Sequence, residues 1–179
     1  MKMTMSALCL ALSAMLGACA VNEQPQTADA VKSAVRTSQN AAHTMAFYDG
    51  PGYAPAHSDN SNFVKDATLH AGYSATAKTA IYSLLVFTYY SQGGFRAYDQ
   101  AADDAGNSFP AVMMDHDVQC YSFCARYETT QIRLSREYLE SHAQSGISLS
   151  MTGQLGGIVS FTVPAYYVQG FLSATRATN

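Results

Sequence analysis

The order of apolar segments along this chain predicts an α+β domain: an antiparallel sheet followed by two short late helices, behind a flexible N-terminal tether. Three observations carry that prediction. All 12 tyrosines and 8 phenylalanines lie at or beyond Phe47, and aromatic rings supply much of a core's buried area. The run Ala80–Tyr90 is apolar on both faces of an extended strand, the pattern of a central strand covered on both sides. Late in the chain, glycine-punctuated strands give way to Pro164 and an amphipathic segment, the arrangement of hairpins followed by a helix.

Residues 1–18 come before any of this. Lys2 supplies a positive start and Ser6–Leu16 an apolar stretch of signal-peptide length, too short to span a bilayer. Leu16-Gly17-Ala18-Cys19 follows. This opening resembles the signal of bacterial lipoproteins, whose lipobox is an aliphatic residue, two small residues and cysteine. The resemblance covers residues 1–19 only. It implies cleavage before Cys19, acylation of the Cys19 thiol by chains such as palmitate, and further acylation of the new amino group. Two or more acyl chains make a durable anchor, each buried CH₂ contributing about 0.8 kcal/mol. Ala20, in place of aspartate, implies the outer membrane. An ordinary secretory signal cut after Ala18 is the alternative.

Residues 19–45 are then the lipidated N-terminus and tether, and 46–179 the globular domain. The tether begins with polar Val21–Thr27 and continues with a thin apolar stripe, Val31, Ala34, Val35, Ala42 and Met45, near helical spacing. Asp49–Pro55 and His57–Asn62 are dense in Gly, Pro, Asn and Asp, which predicts loop. After the central strand, Gly93-Gly94 make a break, and Phe95–Ala102 fits either sheet or a short helix. Strands are predicted at Ala111–Met114, Gln119–Phe123 and Tyr127–Leu134. Ser135–Gly146 reads as a helix with Ser135 as N-cap and Gly146 as its stop. Ile147–Met151 and Gly157–Val163 form a hairpin, and Pro164 opens a last helix with Tyr167, Val168, Phe171 and Leu172 on its apolar side.

Charge excludes one class of partner. The chain has 10 Lys and Arg against 13 Asp and Glu; without Lys2 the balance is nine against thirteen, a formal charge of −4. A basic nucleic-acid surface is disfavoured.

Cysteine use is informative. Cys9 leaves with the signal and Cys19 takes lipid, so Cys120 and Cys124 remain. Outside the cytoplasm such a pair is expected to be a disulfide, which requires the segment to turn, because four residues of extended strand separate Cα atoms by roughly 13 Å. The spacing is not Cys-x-x-Cys, which argues against a redox pair. A metal site is the competing reading: His116, Cys120 and Cys124, with Met113 and Met114, are a soft ligand set, although adjacent methionines are commonly core filling. Asp99, Asp103, Asp104, Asp115 and Asp117 lack the calcium-loop pattern.

No nucleophile elbow, zinc-binding helix motif, phosphate loop or cofactor fingerprint is present. The histidines at 43, 57, 70, 116 and 142 fall in separate elements, and Glu128, Glu137 and Glu140 form no readable pair. Tyr48, Tyr53, Tyr73, Tyr89, Tyr90, Tyr166 and Tyr167 can line a binding surface or simply fill a Trp-free core. The expectation is an outer-membrane-anchored envelope lipoprotein acting as a non-catalytic binding or structural module at the periplasmic or cell-surface face, with a possible envelope protein partner. An envelope ligand- or metal-binding protein or enzyme is the alternative.

Overall fold

A computed structural model describes residues 24–56 and 62–175. The lipobox with Cys19, and His57, lie outside the described residues. The central strand is β4 (Thr79–Tyr90), whose alternation puts Tyr82, Leu84, Val86, Thr88 and Tyr90 on a buried concave face. It pairs with β3 (Asn62–Ser74) on one side and β7 (Cys124–Leu134) on the other. The remaining strands are β1 (Arg36–Gln39), β2 (Met45–Asp49), β5 (Tyr98–Asp103), β6 (Ser108–Cys120), β8 (Ile147–Gly153) and β9 (Ile158–Val163). All pairings are antiparallel, in the order β1-β2-β3-β4-β7-β6-β5-β8-β9.

This corrects the expected α+β class. Among the described residues the fold is a half-barrel dominated by β-structure, 53% strand and 16% helix, with three short helices. The added strand content lies mainly ahead of Ala80. In β3 the inward residues are Val64, Ala67, Leu69 and Ala71, two of them alanines, and a bulge between Val64 and Asp66 shifts the alternation. A strand with a weak and interrupted period carries little sequence signal. Phe95–Ala102 resolves as a crossing segment leading into β5. Among the described residues no helix covers the outer face of β4: Ile81 is exposed, and Phe87 and Tyr89 are half-buried among neighbouring rings.

The helices occupy the concave side and one rim. In α3 (Ala165–Thr175), Tyr167, Val168, Phe171 and Leu172 are all buried. The Pro164 carbonyl accepts from the amides of Tyr167 and Val168, so Pro164 precedes the first helical residue. Tyr167 anchors the helix through its hydroxyl, which donates to the Pro51 carbonyl and accepts from the Leu69 amide at 3.3 Å. Ser135 caps α2 (Arg136–Ser141) by accepting from the Tyr138 amide. The helix ends at Ser141 with His142 as its C-cap, short of the expected stop at Gly146, whose left-handed φ of 81° belongs to the turn into β8.

The span expected as a tether carries packed structure. Thr27 caps α1 (Ala28–Ala34), and Val31 is fully buried. Here α1 crosses α3 at Gly170, where an added Cβ would lie 2.6 Å from the Val31 Cβ and against the Ala28 carbonyl; only glycine permits that approach. The strand β1 then pairs with β2. No helix among the described residues is long and apolar enough to cross a membrane.

Removing residues through Thr44 uncovers α3 and deletes an edge strand. Urea denaturation of such a truncated chain should show a stability loss of more than ~2 kcal/mol; an unchanged midpoint would show that α1 contributes nothing to the fold.

Candidate functional site

Two features are distinctive: a buried carboxylate, and the open hairpin on whose inner strand it sits. Alternation along β7 places Glu128 on the concave face, fully buried. A carboxylate there needs compensating donors. Its Oε1 receives three: the Tyr90 hydroxyl at 2.7 Å, the Arg96 amide at 2.8 Å and the Ala97 amide at 3.0 Å. The Arg96 amide is shared with the Tyr90 oxygen at 3.1 Å. Ala97 adopts φ 51°, the left-handed conformation that turns consecutive amides towards one acceptor. The carbonyls of Arg96 and Ala97 accept from the amides of Leu155 and Gln154, each at 3.2 Å. The pair Arg96–Ala97 is therefore held between β7 and the β8–β9 turn. Gly153 makes room for it, since a Cβ there would strike the Arg96 carbonyl.

Glu128 Oε2, Arg96 Nε and Thr130 Oγ1 are buried without partners. Burial and then the hydrogen bond to Glu128 push the Tyr90 hydroxyl well above its ordinary value. Burial, then the Glu128 charge, push Tyr98 up to about 12. With three donors on one oxygen and no exposure, Glu128 is a clamp on the crossing segment rather than a base that a substrate can reach.

The clamp shapes the hairpin above it. The chain leaving β4 must pass β7 and β6 to reach β5. Glu128 holds residues 96–97 under the sheet, and β5 pairs with β6 only between Gln100–Ala102 and Ser108–Pro110. Beyond Ala111, β6 is exposed at every residue to Cys120. The hairpin ends at Cys120 and Cys124, paired across the strands with sulfurs 2.11 Å and Cα atoms 4.0 Å apart. The loop between them displays Tyr121, 92% exposed, and Phe123, 60% exposed.

The predicted site residues disperse around this frame. The disulfide-distance pair occupies the expected tight turn. His116 lies opposite Glu128 in register, yet its ring packs edge-on against Phe95 at 4.7 Å and no hydrogen bond joins the two residues. Met113 and Met114 are exposed rather than core filling. Among the described residues no three of His, Cys, Asp or Glu gather as metal ligands. Asp103 closes the β5–β6 turn, accepting from the Ala105 and Asn107 amides, the Asn107 side chain and the Tyr138 hydroxyl. Hydrogen bonding, chiefly from Asn107, holds its carboxyl below the usual range. Asp115 and Asp117 lie on the hairpin, away from it.

His70 pairs with Asp49 at 2.7 Å, His43 contacts Gln39, and His142 contacts Ser141 and Tyr138; they form no cluster. Glu140 pairs with Arg136, and Glu137 sits in the first turn of α2. Of the tyrosines, Tyr48, Tyr90 and Tyr167 are buried, so the seven do not form one surface. Tyr89 instead joins Phe63, Phe87 and Tyr127 on the convex face, with the Lys65 ammonium 5.4 Å from the Tyr127 ring centre. Sequence reasoning missed Arg96, Ala97, Tyr121 and Phe123. The bracketing of two aromatics by two cysteines was the available signal for the tip. Two open grooves, of about 460 and 550 Å³, contain neither Glu128 nor His116.

Replacing Glu128 by Ala takes the acceptor from the buried Tyr90 hydroxyl and the Ala97 amide, leaving the Arg96 amide only the Tyr90 oxygen, and should cost about 3 kcal/mol or more. Glu128→Gln keeps an acceptor and should cost less; equal losses in denaturant titrations would refute the clamp. Alkali should act on the same network. Because Tyr98 titrates near 12 when folded and near 10 when unfolded, the stability it contributes is complete below pH 10 and lost as pH rises through 12. The last fraction of tyrosinate absorbance, from the buried rings, should then appear together with loss of the fold, and Tyr98→Phe should blunt the fall.

Comparison with protein-family models, with curated proteins and with solved structures finds no match for this chain.

Proposed function

We propose that the chain is a non-catalytic binding module of the bacterial envelope, anchored at the outer membrane through Cys19, which meets a protein partner through the β6–β7 hairpin. The observation that carries the partner site is the distribution of exposed apolar residues. Of the ten large hydrophobics exposed among the described residues, Val112, Met113, Met114, Val118, Tyr121 and Phe123 all belong to this hairpin. Scattered exposed hydrophobics are ordinary, whereas their concentration on one element marks an interaction surface. Aromatic side chains on a short, closed loop lose little freedom on binding, which favours affinity. The anchor is supported by the lipobox Leu16–Cys19, and the acidic balance supports a protein partner over nucleic acid.

Photo-crosslinking amino acids placed at Tyr121 and Phe123 in intact envelopes should trap a discrete partner, while Ile81 and Leu155, exposed elsewhere, should not. Trapping at all four positions, or at none, would overturn the hairpin assignment. Fatty-acid labelling should mark the wild type and miss Cys19→Ser; equal labelling would remove the anchor. Cys120 and Cys124 in envelope-purified protein should resist alkylation until a reductant is added, and two freely reactive thiols would argue for the metal alternative.

A further inference from the structure

The open side of β6 identifies what kind of partner segment the hairpin accepts. In an antiparallel pair the amide and carbonyl of each residue point together, alternately towards the partner strand and away from it. The His116 amide donates to Asp115 Oδ1 at 2.9 Å, and the Val118 amide to Asp117 Oδ1 at 2.8 Å. Both amides therefore face away from β7, and the carbonyls of the same residues face away with them. No strand lies beyond them among the described residues, since β5 leaves β6 at Pro110. A row of backbone donors and acceptors on an exposed strand is a template for another strand.

The side chains on this edge differ between the two faces. Asp115 and Asp117 share the convex face with Thr129 and Tyr127, their register partners. Met113, His116 and Val118 share the concave face with Thr130, Glu128 and Arg126, and Met113 and Val118 are exposed apolar groups. An incoming strand would thus meet the Asp115 and Asp117 carboxylates on one face and, on the other, the apolar groups Met113 and Val118 with the His116 ring between them.

We propose that the edge of β6 over residues 112–119 takes an extended segment of a protein partner whose side chains alternate between basic and apolar. This rests on the reading of the hairpin as a binding element and specifies the partner's chemistry. On docking, carbonyls of the incoming strand replace the aspartate oxygens on the His116 and Val118 amides. The released carboxylates then pair with the basic side chains. The same carboxylates disfavour a second copy of this chain, because two β6 edges would set Asp115 and Asp117 against their counterparts. The other sheet edges are poorer templates: β1 has four residues, and the Ile158 carbonyl of β9 is already taken by the Asn62 side chain at 3.2 Å.

The test uses the purified full-length chain in detergent micelles and three fluorescent ten-residue peptides. One alternates lysine and valine, one alternates glutamate and valine, and one is the lysine peptide with alternate backbone nitrogens methylated along one edge. The lysine peptide should bind roughly tenfold more tightly than the glutamate peptide. Methylation should abolish binding. Hydrogen exchange at the His116 and Val118 amides should slow in the complex, with β1 and β9 unaffected. The double substitution Asp115→Asn and Asp117→Asn keeps the capping oxygens and removes only charge, so it should erase most of the difference between the two unmodified peptides. Equal binding of the glutamate peptide, tight binding of the methylated one, protection at another edge, or a wild-type dimer formed through β6 would each overturn the proposal. Crosslinks from Tyr121 and Phe123 in envelopes alongside failure of the peptides would sink the strand-pairing inference alone. Absence of those crosslinks would sink the underlying hairpin reading instead.

Discussion

A carboxylate buried at Glu128 imposes a condition that the rest of the chain meets: three donors must reach one oxygen inside an apolar concavity. Two of them are backbone amides of the segment crossing between β4 and β5, so the condition is met by routing the chain under the sheet. The same two peptides offer their carbonyls to the β8–β9 turn. One side chain thereby ties the strands around β4 to the β5, β8 and β9 group, which share few direct partners. The route also withholds from β6 the neighbour that β5 would otherwise supply, so the open hairpin follows from the buried clamp.

Tyrosine richness finds its explanation in the same economy of polar ends. Tyr90, Tyr98, Tyr138 and Tyr167 each place a ring in or against the core and a hydroxyl on a polar partner: Glu128, Asn62, Asp103 and the Pro51 carbonyl respectively. The bonds of Tyr98, Tyr138 and Tyr167 connect elements that have no ladder between them, while that of Tyr90 spans the paired strands β4 and β7. A phenylalanine would fill the same volume and leave those connections unmade.

What the sequence made legible were features written in neighbouring residues. The two-faced run of β4, the Ser135 cap, the β8–β9 hairpin and the apolar side of α3 all appear where their local patterns place them. The strand β3 escaped because alanines and a bulge weaken its period, and α1 showed only as part of a thin stripe read as tether because Val31, against Gly170, is its one buried residue. Glu128 could be named as a carboxylate but not as a clamp, since its donors lie some thirty positions away and approach only through the crossing. The exposed face of β6 was hidden for the opposite reason: Val112, Met113 and Met114 carry a core composition on a surface strand.

The contact between α1 and α3 sets an order on folding. The first helix of the described chain finishes its packing against the last, where Gly170 receives Val31. A growing chain exposes α1 and β1 long before α3 exists, and β4 likewise waits for β7 while β5 and β6 are made. The half-barrel therefore closes late, from contacts distant in sequence, the kind that slow folding and leave apolar strands unpaired in the interval. Until its final helix arrives, the chain must be kept from pairing with its neighbours.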